Sequence, residues 1–189
     1  MPYQILPPHG GYRKLLSYQI ATIAFDFGLE FANKYIGTKS RTHDQIVQAL
    51  RSGKQNIVEG TMASGTSKKT EIKLLGVARA SLEEALADAE DFLRQHQLNL
   101  WSKTDPRTLA IRKLGYTTDK SYKTYMSYLS SPESAANCLL CLIHQTNFLL
   151  DRQIQAVEKE FLEKGGLSER LYQARQSAKP NPHPPTQNS

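Results

Sequence analysis

Cysteine is scarce: two residues in a chain of 189, so no disulfide framework can be read. That composition fits a reducing, cytoplasmic setting. Long apolar stretches are missing as well. The longest, residues 138–143, falls far short of the roughly 20 residues a membrane-spanning helix needs. Residues 1–11 hold three prolines and no apolar core, which does not fit a secretion signal. Export and membrane insertion are therefore not expected. No stretch alternates apolar and polar residues as a half-buried strand would. The pair Gly10-Gly11 follows no strand and lacks the G-x-x-x-x-G-K spacing of a phosphate loop. What is present is ordinary for a folded domain: 39% hydrophobic and 22% charged residues, on a chain long enough to bury a core without staples.

The formal charge is +6, and it is unevenly placed. Residues 1–80 hold eleven Lys/Arg against five Asp/Glu, whereas residues 81–189 hold thirteen of each. The whole excess lies in the N-terminal part. Such asymmetry points to a polyanionic partner, RNA or DNA; the plainer reading is a solvated basic face.

Helical periodicity runs through most of the chain. Leu16, Ile20, Ile23, Phe27 and Phe31 share one face, which predicts a helix over 12–35 stopped near Gly37. Ser40 or Thr42 can cap a second helix. Its apolar stripe is His43, Ile46, Leu50, Gly53 and Ile57, and it is expected to end at Gly60. Gly53 costs about 1 kcal/mol relative to Ala in a helix interior, so a close helix–helix approach is expected there. Ser67 can cap a third helix, with a seam of Ile72, Leu75, Ala78, Leu82, Ala85, Ala89 and Leu93, ending near Gln97. Ser131-Pro132-Glu133 reads as a cap, a first-position proline and a first-turn acid. The helix it opens carries Leu139, Leu142, Thr146, Leu149, Val157 and Phe161, with Ile154 beside them, up to Gly165-Gly166. A short helix over 168–176 follows. The expected fold is all-α: an antiparallel up-down four-helix bundle over 12–165, with an insertion at about 99–131 between its third and fourth helices and a short C-terminal helix within 166–178. Residues 1–11 read as an extended arm and 179–189, with four prolines, as a disordered tail. The insertion, with Pro106, Gly115 and Tyr116, Tyr122, Tyr125 and Tyr128, is expected to be only partly regular, with one or two helical turns over 109–114.

The candidates for phosphate contact are Arg13, Lys14, Lys39, Arg41, Arg51, Lys54, Lys68, Lys69, Lys73 and Arg79. Phosphate recognition needs cationic side chains at workable spacing and little else. Lys68 and Lys69 also fall at a predicted helix N-terminus, where backbone N–H groups favour anions. A polar stripe on the second helix, Arg41, Gln45, Gln48, Ser52, Gln55 and Glu59, reads either as an interface or as a solvated face. A carboxylate near a helix C-terminus opposes the macrodipole, so Glu59 calls for a partner, with Arg51 and Lys54 in reach. Cys138-x-x-Cys141 with His144 has metal-ligand spacing, yet it lies in an apolar helical run without a βαβ context, which favours buried structural thiols. His43 beside Asp44 invites general-base chemistry, but neighbours on a helix do not face each other and no nucleophile completes a constellation. His43 therefore reads as a core or interface residue. No catalytic residue, metal or cofactor is expected, and the chain reads as a non-enzyme.

Three runs carry a resemblance: Gln55-Asn56-Ile57-Val58-Glu59-Gly60, then Lys68-Lys69-x-Glu71, then Ala78-Arg79-Ala80-Ser81-Leu82-Glu83-Glu84. In this order they resemble the four-helix-bundle proteins related to 23S rRNA intervening-sequence proteins, with valine at 58 where alanine is usual. Four further stretches, His9 to Leu15, Arg41 to Gln45, Ala63 to Lys69 and Asp151 to Gln153, make the chain more similar to the subgroup of four helix bundle suffix domain proteins. The resemblance covers nearly all of the chain except the tail and much of 99–131. It implies a ring-like homo-oligomer, often a pentamer. One branch contains the accessory protein of diversity-generating retroelements, which implies a basic barrel that binds nucleic acid and a reverse transcriptase. Charge asymmetry and resemblance together lead to an expected function: an oligomeric bundle that binds nucleic acid, RNA before DNA, through its basic N-terminal half. The alternative is a protein-interaction scaffold using the insertion and the C-terminal extension.

Overall fold

The computed structural model describes residues 10–178. The expectations for an arm over 1–9 and a tail over 179–189, and the motif histidine His9, lie outside the described residues. Within them every regular element is helical: a 3-10 turn at Tyr12–Lys14, then α1 (Leu16–Tyr35), α2 (Arg41–Ala63), α3 (Lys68–Gln95), α4 (Pro106–Leu114), a 3-10 segment at Tyr122–Ser130, α5 (Pro132–Lys164) and α6 (Leu167–Ser177).

The helix starts follow the capping chemistry. Ser40 Oγ accepts from Thr42 N, Ser67 Oγ from Thr70 N and Ser131 Oγ from Ser134 N, each satisfying an orphan donor of the first turn. Gly37 and Gly165 take positive φ after α1 and α5, a backbone region that glycine enters without steric cost.

The long helices pack in a cycle: α1 on α2, α2 on α3, α3 on α5 and α5 back on α1. Their expected inner faces are buried, including Phe27, Phe31, Ile46, Leu50, Ile57, Leu75, Leu82, Leu93, Leu139 and Leu142. Leu16 and Phe161, near the ends of their helices, depart from that pattern and are exposed. Gly53 is where the approach is closest. A Cβ there would lie 2.6 Å from Leu82 Cγ, so only glycine lets α2 and α3 meet. Gly60 does not end α2. The helix continues to Ala63 because Gly60 is another contact residue, with Glu71 O 3.3 Å from where its Cβ would be.

The stretch 99–131 is more ordered than expected. Asp105 caps α4 by accepting from Arg107 N at 2.8 Å, and Pro106 occupies its first position. Ile111 and Tyr125 are fully buried and Leu129 is buried, so the segment closes the core rather than looping away from it. Polar clasps hold it down. Trp101 donates from its backbone to Asn137 Oδ1 and from its indole to Glu133 Oε1, both at 2.8 Å. The Arg107 guanidinium lies 3.9 Å from the Trp101 ring centroid. Lys34 Nζ and Tyr35 Oη both donate to the Leu129 carbonyl, at 2.9 and 2.6 Å.

Candidate nucleic-acid interface

Seven of the ten predicted cations are exposed and, among the described residues, form no ion pair: Arg13, Lys14, Lys39, Arg41, Arg51, Lys69 and Lys73. Arg13 and Lys14 lie on the 3-10 turn before α1. That turn is fixed by edge-to-face contact of Tyr12 with Tyr18 at 4.8 Å and by Gln19 Nε2 donating to the Arg13 carbonyl at 2.9 Å. Arg13 stacks over Tyr12 at 4.9 Å. Lys39 lies in the connection between α1 and α2, and Arg41 opens α2. Lys69 and Lys73 are four apart on the outer face of α3, as their spacing requires.

The other three have internal partners. Lys54 Nζ lies 4.3 Å from the Phe25 ring centroid, a cation–π contact. Arg79 donates to Asp151 at 2.7 Å and reaches Glu83 at 3.5 Å, joining α3 to α5. Lys68 is the clearest departure from expectation. Its side chain is only 10% exposed and bridges Glu71 at 3.0 Å and Glu160 at 2.9 Å. Burial alone would lower the Lys68 pKa, but hydrogen bonds and attraction from Glu160 and Glu71 outweigh it, and the net shift is upward. Burial raises Glu71, while the hydrogen bond from Lys68 lowers the more exposed Glu160. A lysine neutralised in this way ties α3 to α5 and is not free for phosphate, despite its place at a helix N-terminus.

The polar stripe of α2 borders a shallow groove against α3. Arg41, Gln45, Gln48 and Ser52 line it with Asp44, Ser81 and Glu84, and Ser52 and Ser81 share a hydrogen bond at 3.1 Å. Asp44 and Glu84 line the groove with Arg41 without pairing with it among the described residues, which weakens the field for anions there. Gln55 is half-buried and Glu59 exposed. Among the described residues Glu59 has no ion pair with Arg51 or Lys54, because Lys54 is turned onto Phe25.

Cys138 and Cys141 are free and buried. Burial pushes the Cys141 thiol up to about 11 and Cys138 well above its ordinary value, which keeps both protonated and poor as ligands or nucleophiles. His144, one turn beyond Cys141 on α5, is exposed. Among the described residues no group of three or more His, Cys, Asp or Glu side chains is placed to hold a metal. His43 is buried, with Nε2 2.9 Å from Asn33 Oδ1 and Nδ1 3.3 Å from Asp44 Oδ1. The Asp44 contact forms although the two residues are adjacent. The ring thereby ties the start of α2 to the end of α1.

Sequence reasoning overlooked a second locus. A hollow of about 230 Å³ opens where α1, the end of α4 and the middle of α5 meet, lined by Leu16, Ile20, Arg112, Tyr116, Phe148 and Arg152 among others. Tyr116 is 89% exposed and Phe148 60% exposed. One signal was available: Phe148 and Arg152 are four apart and share a helix face. The partners on α1 and α4 come together only through the fold. Comparison with protein-family models, with curated proteins and with solved structures finds no match for this chain.

Proposed function

We propose that this chain is a non-enzymatic nucleic-acid-binding protein with RNA as its favoured ligand. Its four long helices are read as an antiparallel up-down bundle, and the assembled form as a homo-oligomer. By resemblance it serves as an accessory to a reverse transcriptase. The observation that carries the reading is the set of seven cations that are exposed and unpaired among the described residues, all within the N-terminal 80 residues that hold the entire charge excess. Acids elsewhere are matched in number by cations, so the surplus charge open to a polyanion is carried by residues 1–80. The test is fluorescence anisotropy of the full chain with a labelled RNA oligonucleotide over a salt series, with mass photometry of the same samples. If all seven cations meet phosphates, affinity falls roughly a thousandfold between about 50 and 200 mM salt. Binding indifferent to salt, or none at low salt, overturns the reading.

A specific feature favours a second reading as a protein scaffold. The end of α5 and α6 expose Leu162 at 83% and Tyr172 at 65%, which suits capture of an apolar partner surface. A chain that ignores RNA at every salt concentration but loses a protein partner when Leu162 and Tyr172 become serine fits that scaffold instead.

A further inference from the structure

We infer that the hollow between α1, α4 and α5 is a base-stacking site for single-stranded nucleic acid, an inference that rests on the nucleic-acid reading above. Three large apolar side chains surround it in the open: Tyr116, Phe148 and Leu16, the last 54% exposed. Scattered single apolar residues on a surface are normal, but convergence on one hollow is not. Two of the three are aromatic. Arg112 and Arg152 line the same hollow. Neither forms an ion pair among the described residues, and none of the lining residues is acidic. Arg152 lies 5.8 Å from the Phe148 ring centroid, and Arg112 makes only a long contact, 3.4 Å, to the Lys103 carbonyl.

This combination selects among occupants. A purely apolar protein surface laid over the hollow would strip water from two unneutralised guanidiniums, a cost that goes unrecovered without anions. A polyanion with flat apolar rings satisfies both kinds of wall: bases stack on the aromatic faces while phosphates meet the arginines. The volume, about 230 Å³, lies below the roughly 300–1,000 Å³ of pockets for larger ligands and suits a single ring. A base inside a duplex is stacked on its neighbours and cannot enter, so the site discriminates for single strands. The Gln145 carboxamide is also present. Its Nε2 donates weakly to the Arg112 carbonyl at 3.4 Å, and its buried Oε1 has no partner among the described residues. A base N–H entering the hollow would supply one. Arg13 and Lys14, on the turn leading into Leu16, extend the cationic track from the hollow toward the basic N-terminal part.

The test uses the full chain with a fluorescein-labelled uridine 12-mer and with a duplex RNA of equal length. The variants are Tyr116→Ala, Phe148→Ala, Phe148→Leu, Phe148→Tyr, Arg112→Gln and Arg152→Gln, and circular dichroism checks each fold. Base–aromatic stacking is worth about tenfold in affinity per ring. The expected result has four parts: single strands preferred over duplex; both alanine variants and Phe148→Leu weaker by about tenfold with an unchanged salt slope; Phe148→Tyr close to the parent; and each arginine variant lowering the salt slope by about one contact. Parent-like affinity in both alanine variants, or in Phe148→Leu, overturns the stacking site while leaving RNA binding intact. Equal or better binding of duplex overturns it too. If the parent chain binds neither RNA at low salt, the nucleic-acid reading itself falls, and the stacking site with it.

Discussion

Gly53 and Gly76 are both glycines inside helices, and neither takes a backbone conformation that demands glycine. At Gly53 a Cβ would lie 2.6 Å from Leu82 Cγ and 3.3 Å from the Ala78 carbonyl oxygen; at Gly76 nothing lies within 4 Å. Alanine gains about 1 kcal/mol of helix propensity at either site. At Gly53 overpacking against the fully buried Leu82 costs about 1–3 kcal/mol. Urea unfolding is therefore expected to show Gly53→Ala destabilised and Gly76→Ala stabilised by about 1 kcal/mol. Tyr125 offers a second contrast. It is fully buried, its hydroxyl has no partner among the described residues, and burial raises its pKa to about 12. An unpaired buried hydroxyl is a desolvation cost without return. Tyr125→Phe is expected to be neutral or stabilising by up to about 1 kcal/mol, whereas Tyr125→Ala loses about 3–5 kcal/mol through the cavity it leaves. The same urea series checks both.

At the scale of elements, the segment between α3 and α5 depends on the Glu133 carboxylate. Its pKa is lowered by the hydrogen bond from the Trp101 indole first, then by the Asn99 backbone and side chain and the nearby Arg107. A carboxylate whose folded pKa is depressed adds stability that is present above its unfolded pKa, near 4.3, and is lost as pH falls through the lower folded value. The clasp should therefore loosen in that acid window. Trp101 is the chain's single tryptophan, so its emission reports the event directly. An acid transition in emission is expected below about pH 4, and Glu133→Gln should abolish it while costing about 1.5 kcal/mol at neutral pH, the low end for bonds to a partly solvated charge. An identical transition in the variant would show that another group controls the clasp.

For the molecule as a whole, position matters more than the sum of charge. Lys69 and Lys73 are exposed and unpaired among the described residues, whereas Lys68 is enclosed by Glu71 and Glu160. Replacing Lys69 and Lys73 together by glutamine should reduce the salt slope of RNA binding by about two contacts and weaken binding evenly across sequences. Lys68→Gln, by contrast, leaves the nearly buried Glu71 without its cation. That change is expected to lower stability by about 3–5 kcal/mol, measured by thermal melts, rather than to alter the slope. Among the described residues no helix is long and apolar enough to cross a membrane.

Helix positions, caps and most inner faces were legible in the sequence, because periodicity and capping act within one or two turns and need no distant partner. The close approach at Gly53 was legible too, because that glycine falls on the apolar stripe with Leu50 and Ile57, whereas Gly76 lies off the seam of α3 and meets nothing. The insertion was not: Ile111, Tyr125 and Leu129 show no sustained period, and only the facing surfaces of α1 and α5 decide that they enter the core. The candidate site was legible as a list of cations but not as a surface. Charge is a property of each residue, whereas its availability depends on what stands opposite, and Lys68, Lys54 and Arg79 meet partners up to 92 residues away. Tyr116, Phe148, Arg112 and Arg152 read as unrelated residues along the chain. Tertiary structure alone joined them, because packing α4 and α1 against α5 leaves those four side chains around one hollow.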